Sequence, residues 1–167
     1  MATTCSGVLR VSFEANTQKD YGITDSKVVD SINESTPYTL ATTVVDMLYH
    51  DDGVLDVVPT VVDLDLQAIL NAFGDAITLT KVMGLLIKNN ATPATGSSIL
   101  VGGAVADEWT TPWGAAGDKI HVPPGGVLFL IAPAGITVGA ADNQLRLVND
   151  KDGAGTIAYE IFIIGAQ

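Results

Sequence analysis

A single cysteine, Cys5, occurs in the 167 residues, so no intramolecular disulfide can form and an oxidising compartment is not needed for folding. Basic residues are scarce as well: eight Lys and Arg stand against nineteen Asp and Glu, a formal net charge of −11. That balance repels a phosphate backbone and an anionic lipid surface, so neither nucleic acid nor membrane is an expected partner. No apolar run approaches the ~18 residues of a membrane span. Met1-Ala2-Thr3-Thr4-Cys5-Ser6-Gly7 has neither a basic start nor an apolar stretch, so a secretory leader is not expected and synthesis is expected to be cytoplasmic.

Reactive constellations are missing too. Only two histidines exist to serve as a base, and Ser97-Ser98 lies in a Gly-rich loop without a Gly-x-Ser-x-Gly elbow. Gly102-Gly103 and Gly153-Ala154-Gly155 lack a Walker lysine and a dinucleotide fingerprint. His50 with Asp51, Asp52, Asp56, Asp63 and Asp65 has the composition of a hard-cation site, but the spacing fits no EF-hand loop and alternating aspartates on a strand face solvent. His121 precedes Val122-Pro123, which denies it the second imidazole of a His-x-His metal pair. No catalytic residue, metal or cofactor is therefore expected, and the chain is read as a non-enzyme.

What remains is core and turn chemistry. Hydrophobic residues make up 47% and charged residues 16%, rich in core and poor in surface charge, so contacts between copies are expected to cover part of the surface. The length suits one well-buried core. Leu9, Val11 and Phe13 alternate with Arg10, Ser12 and Glu14, a period of two that predicts a half-buried strand. Residues 16–37 are polar and are expected to form an arm or a long connection. A Thr-rich run over 38–45 predicts a strand, His50-Asp51-Asp52-Gly53 a turn, and Val54–Val58 another strand. Val62, Leu64 and Leu66 alternate with Asp63 and Asp65; Leu66, Ile69, Leu70 and Phe73 then have helical spacing before Gly74, predicting one short helix.

Ile77–Lys88 returns to strand character, with Leu85-Leu86-Ile87 expected to be buried on both faces. Further strands are expected at about 98–105, 118–122, 126–132, 136–138, 144–148 and 156–164, separated by Gly- and Pro-rich turns. The pattern predicts an all-β chain, a jelly-roll-like β-sandwich over 38–167 with one short helix and an N-terminal strand and arm over 1–37. Trp109 and Trp113, four residues apart in a Thr-Pro-Gly loop, either plug the ends of the sandwich or pack between subunits, or else stack on a sugar or anchor a protein interface. With Leu9, Val11 and Phe13 they are the candidate interface or packing residues.

Leu64-Asp65-Leu66, Asn71-Ala72-Phe73-Gly74, Ile77-Thr78-Leu79-Thr80-Lys81-Val82, Val101-Gly102-Gly103-Ala104, Pro112-Trp113, Asp118-Lys119-Ile120, Pro124-Gly125-Gly126 and Tyr159-Glu160-Ile161-Phe162-Ile163-Ile164-Gly165 together resemble small virion structural proteins of tailed bacteriophages, over roughly residues 60–167. The resemblance implies a capsid decoration or cement protein, a homotrimer bound to the major capsid protein on the outer shell and made in the host cytoplasm. The neighbouring possibility is a tail- or fibre-associated recognition module that binds protein or carbohydrate.

Overall fold

A computed structural model of the chain describes residues 47–56, 61–71, 74–93, 96–150 and 155–167, and the backbone of 7–20 and 27–40. The described residues are all-β. Their strands are β1 (Gly7–Asp20), β2 (Lys27–Leu40), β3 (Met47–Leu55), β4 (Val61–Asp65), β5 (Ile69–Leu70), β6 (Ala76–Ile77), β7 (Lys81–Asn89), β8 (Ile99–Gly102), β9 (Lys119–Val122), β10 (Val127–Thr137), β11 (Gln144–Asn149) and β12 (Ile157–Ala166).

Two four-stranded sheets carry the core, one ordered β10-β7-β12-β3 and the other β4-β11-β8-β9, every ladder in them antiparallel. Period-two side-chain alternation explains which residues meet between them. On β12, Ile157, Tyr159, Ile161 and Ile163 are buried while Ala158, Glu160, Phe162 and Ile164 take the opposite face. On β11 the buried row is Leu145, Leu147 and Asn149. Apart from Asn149, these rows join Leu55, Leu85, Ile87, Ile99, Val101 and Val122 in one cluster. Each such aliphatic side chain contributes about 1.5–3 kcal/mol by leaving water. β1 and β2 form a separate two-stranded antiparallel ladder running from Gly7↔Leu40 to Asp20↔Lys27.

Several sequence expectations are corrected. The described residues of the span 66–73, expected as a short helix, form no helix; β5 in that span pairs with β6 beyond it in a tight hairpin. The Asp65 side chain accepts from Gln67 N at 2.9 Å, which starts a turn where the helix would begin. Asn71 and Asp75 close the hairpin, Asp75 N donating to Asn71 Oδ1 at 2.9 Å. Leu66 N donates to Asn143 O and Leu66 O accepts from Leu79 N, so both backbone groups are committed to residues well beyond a helical turn. The helical spacing of apolar residues is overridden by these contacts, which bury Leu66 and Ile69 and leave Leu70 outside.

His50-Asp51-Asp52-Gly53 is not a turn but the middle of β3, paired with Tyr159–Phe162 of β12. Gly53 is there for space: a Cβ would meet the Tyr159 ring at 2.7–2.9 Å. Residues 16–37, expected as an arm or a long connection, include the Asn16–Asp20 end of β1 and most of β2, and β2 runs through residue 37 to Leu40. Residues 38–40 of the strand expected at 38–45 are therefore the end of a longer one; residues 41–46 lie outside the described set, as do 57 and 58 of the expected Val54–Val58 strand. The two strands expected at 126–132 and 136–138 are one, β10, with a register shift between Ile131 and Ile136.

Candidate functional site

The Trp loop joins β8 to β9. Trp109 is fully buried, and its indole Nε1 donates to Thr137 O at 2.9 Å. Trp113 is half-buried and meets Trp109 edge-on, with ring centroids 5.9 Å apart and planes at 84°. With its ring inside the core, Trp109 offers no face to a sugar.

Carboxylates hold this loop in shape. Glu108, itself buried, accepts from Gly103 N through Oε1 and from Gly117 N through Oε2 at 2.7 Å, so one side chain ties both ends of the loop. Asp142 accepts from Thr110 N at 2.7 Å and Thr111 Oγ1 at 3.1 Å, and Asp118 from Ala115 N at 2.9 Å. Charge-assisted bonds of this kind are roughly twice as strong as neutral ones. A share of the chain's acidity is thus spent on fastening backbone.

Of the residues considered for a hard-cation site, His50, Asp51, Asp63 and Asp65 line one open hollow between β3 and β4, but several are engaged elsewhere. Asp63 forms a bidentate pair with Arg146, at 2.6 and 2.7 Å, while Asp65 accepts from Asn143 Nδ2 at 3.0 Å. His50 stacks on Phe162 with centroids 4.2 Å apart and planes at 11°. His121, largely exposed on β9, places Nδ1 3.4 Å from Asp150 Oδ2. Among the described residues no three His, Cys, Asp or Glu are grouped to hold a metal ion. Burial, then the charge of Asp51, pushes the Tyr49 and Tyr159 phenols upward. The Asn90 side chain, followed by Lys88, holds the Glu160 carboxyl below its ordinary value.

The feature missed in sequence reasoning is the outward face of the β10-β7-β12-β3 sheet. There Leu48, Leu86, Phe129, Phe162 and Ile164 surround Gly84 in an apolar hollow of about 260 Å³. Leu48 is 44% exposed, and Val127 and Val54 carry more exposed apolar surface at 53% and 56%. Leu86, expected to be buried on both faces of its strand, is only half-buried. A signal for this was present: the unbroken runs Leu85-Leu86-Ile87, Val127–Ile131 and Ile161–Ile164 are the pattern of strands covered on both sides. The opposite sheet presents a different outward face, with Asp63, Arg146, Asp65, Gln144, Lys119 and His121 among Val61, Leu100 and Val148. Leu9, Val11 and Phe13 fall on alternate positions of β1, apart from Trp109 and Trp113 in the sequence of elements.

Comparison with known proteins gives no match: no family model, no curated protein and no solved structure corresponds to this chain.

Proposed function

We propose that this chain is a virion structural protein, a capsid decoration or cement protein that sits as a homotrimer on the outer surface of an icosahedral shell, binds the major capsid protein and stabilises the shell. The observation that carries the reading is the open apolar face around Leu86, Phe129, Phe162 and Ile164. A permanent assembly uses core-like interfaces, and the end of this face around Gly84 is composed like a core, the Lys88–Glu160 pair, His50 and Asp52 lying toward its other end. The phage resemblance described above points the same way.

The jelly-roll part of the reading is supported by strand order. Counting β3, β4 and β7–β12 as eight successive strands, one sheet reads sixth-third-eighth-first and the other second-seventh-fourth-fifth. Two interleaved Greek keys produce that order. Jelly rolls recur in viral shell proteins, an analogy of fold and not a proof of role.

Electron microscopy of the source virion tests the proposal: regularly spaced knobs on the shell are expected, and density confined to the tail would replace the decoration role with the tail or fibre role. Attachment is expected to be apolar, so decorated particles washed in about 1 M salt, where the Debye length is about 3 Å, should keep the protein. Quantitative release would show that electrostatics holds it.

A further inference from the structure

Four strands stand at the edges of the two four-stranded sheets, β3 and β10 in one and β4 and β9 in the other. An edge strand offers a row of unpaired N–H and C=O groups to any other strand, and charge placed on it is a common defence. Three of the four carry such charge: β3 has Asp51 and Asp52, β4 has Asp63 and Asp65, and β9 has Lys119. β10 has none. Its register shift between Ile131 and Ile136, with Pro133 inside, interrupts the far half, but Val127–Ile131 pairs regularly with β7 and is apolar at every position. No residue of β10 is buried, whereas most of the neighbouring β7 is. Leu128 and Leu130 pack on the core cluster and are still only half-buried.

The direction of the free groups follows from the ladder. Asn89 N donates to Gly126 O, one step beyond the Val127↔Lys88 pair, so Gly126 and Asn89 are a hydrogen-bonded pair. Bonded and non-bonded pairs alternate in an antiparallel ladder, which makes Leu128–Ile87 and Leu130–Leu85 the next bonded pairs. The far side of β7 agrees, since Asn90 N donates to Ala158 O and the alternation commits Lys88 and Leu86 to β12. The backbones of Val127, Phe129 and Ile131 therefore point away from β7, an N–H and a C=O at each, and among the described residues no strand meets them. We propose that this edge pairs with the same edge of a second copy, antiparallel about a two-fold axis at Phe129, joining two β10-β7-β12-β3 sheets into one. The run Val-Leu-Phe-Leu-Ile reads nearly alike in both directions. In this register Val127 stands opposite Ile131, Leu128 opposite Leu130, and Phe129 opposite its own counterpart. The three positions with free groups become the bonded pairs, so every free group of the run gains a partner and the core-side leucines meet each other. No charge on the run opposes the approach, although the chain carries −11 overall. A strand from another protein would have to match this pattern, whereas a second copy matches it by symmetry.

A two-fold contact cannot lie within a three-fold ring, so the pairing rests on neither the homotrimer nor the shell: it makes a dimer of single chains or joins two rings. Five residue pairs bury less than the ~1,200 Å² of a standard interface, so association should follow concentration. Two full-length double variants test the register. Val127→Lys with Ile131→Glu sets opposite charges face to face across the axis, and Val127→Lys with Ile131→Lys sets like charges there. Within one chain the two positions are ~14 Å apart at ~3.4 Å per residue, beyond the ~8 Å Debye length, so the contrast reads contacts between copies. In light scattering the wild type should reach an even number of chains as its concentration rises through the micromolar range. The opposite-charge variant should keep that association and the like-charge variant should weaken it at least tenfold by comparison, both with the wild-type β circular dichroism signal. In residue-resolved hydrogen exchange of the wild type, the amides of Val127, Phe129 and Ile131 should become protected as the pair forms, those of Leu128 and Leu130 being protected throughout. A mass of one or three chains at every concentration, equal association of the two variants, or edge amides already protected in the single chain would each overturn the pairing; a mass of three would leave the homotrimer standing. Protection of the edge amides only on adding shells would give the edge to the shell protein and overturn self-pairing. An even-numbered assembly that ignores shells would keep the pairing and remove the decoration role.

Discussion

Removing the Asn89 side chain should weaken the fold more than any change of similar size on the surface. Asn89 is fully buried at the end of β7. Its Nδ2 donates to Ser97 O at 2.9 Å and to Val122 O at 3.0 Å, and its Oδ1 accepts from Ala91 N at 2.9 Å. Val122 belongs to β9 in the facing sheet, so this amide ties the two sheets together at one end. Asn89→Ala deletes three hydrogen bonds worth ~1 kcal/mol each and leaves two carbonyls and an N–H without their partner, giving a loss of at least about 3 kcal/mol. At ~2–4 °C per kcal/mol for a chain of this size, Tm should fall by ~6–12 °C. Asn89→Asp adds a sign. A carboxylate facing two carbonyl oxygens is disfavoured, so its folded pKa must exceed the ~3.9 of the unfolded chain. The variant should therefore come closest to wild type below pH ~4 and lose stability as pH rises above that value. Urea denaturation of the three proteins at several pH values measures both effects. An Asn89→Ala loss under about 1 kcal/mol, within the range of an ordinary single hydrogen bond, would refute the staple.

Other consequences follow from named contacts. Glu108→Ala should free the amides of Gly103 and Gly117, raising their hydrogen exchange well above that of β12 and loosening the Trp loop; unchanged protection at both glycines would rule out the clamp. Gly102 has φ +101° and lies where a Cβ would stand 2.6 Å from Asp118 O, so Gly102→Ala should cost about 1–3 kcal/mol in denaturant unfolding. Tyr49 and Tyr159, their phenols pushed upward by burial, favour folding below the unfolded value of ~10 and lose that contribution as pH rises past it. Phenolate absorbance from these two should appear together with loss of the β signal, and ionisation of all four tyrosines in an intact fold would contradict their burial.

Where side-chain alternation met a buried neighbour, the structure was readable from residues alone. β11 and β12 fall close to their expected limits because Leu145 and Leu147, or Ile161 and Ile163, alternate against a core that pulls one face inward. The misreadings occurred where a tertiary contact gave a residue a second meaning. Gly53 signals a turn in isolation but in β3 makes room for the Tyr159 ring. Leu66, Ile69 and Leu70 have helical spacing, yet the backbone of Leu66 is claimed by Asn143 and Leu79. Asn89 directly follows the expected Ile77–Lys88 strand; its role depends on Ser97 and Val122 meeting it from two directions, which no local pattern encodes. Of the candidate interface residues, the Trp pair was visible as aromatics in a loop, but the burial of Trp109 depends on Thr137, 28 residues away.

The difference between the two outward faces gives the molecule a direction. One sheet turns Leu48, Leu86, Phe129, Phe162 and Ile164 outward at one end, with His50, Asp52 and the Lys88–Glu160 pair toward the other; the second sheet turns out the Asp63–Arg146 pair with Asp65, Gln144 and Lys119. Apolar burial is short-ranged and insensitive to salt, whereas unpaired charge acts over about 8 Å at physiological ionic strength. A protein joined to its assembly through the first face and exposed through the second would bind firmly while its net charge of −11 kept assembled particles apart.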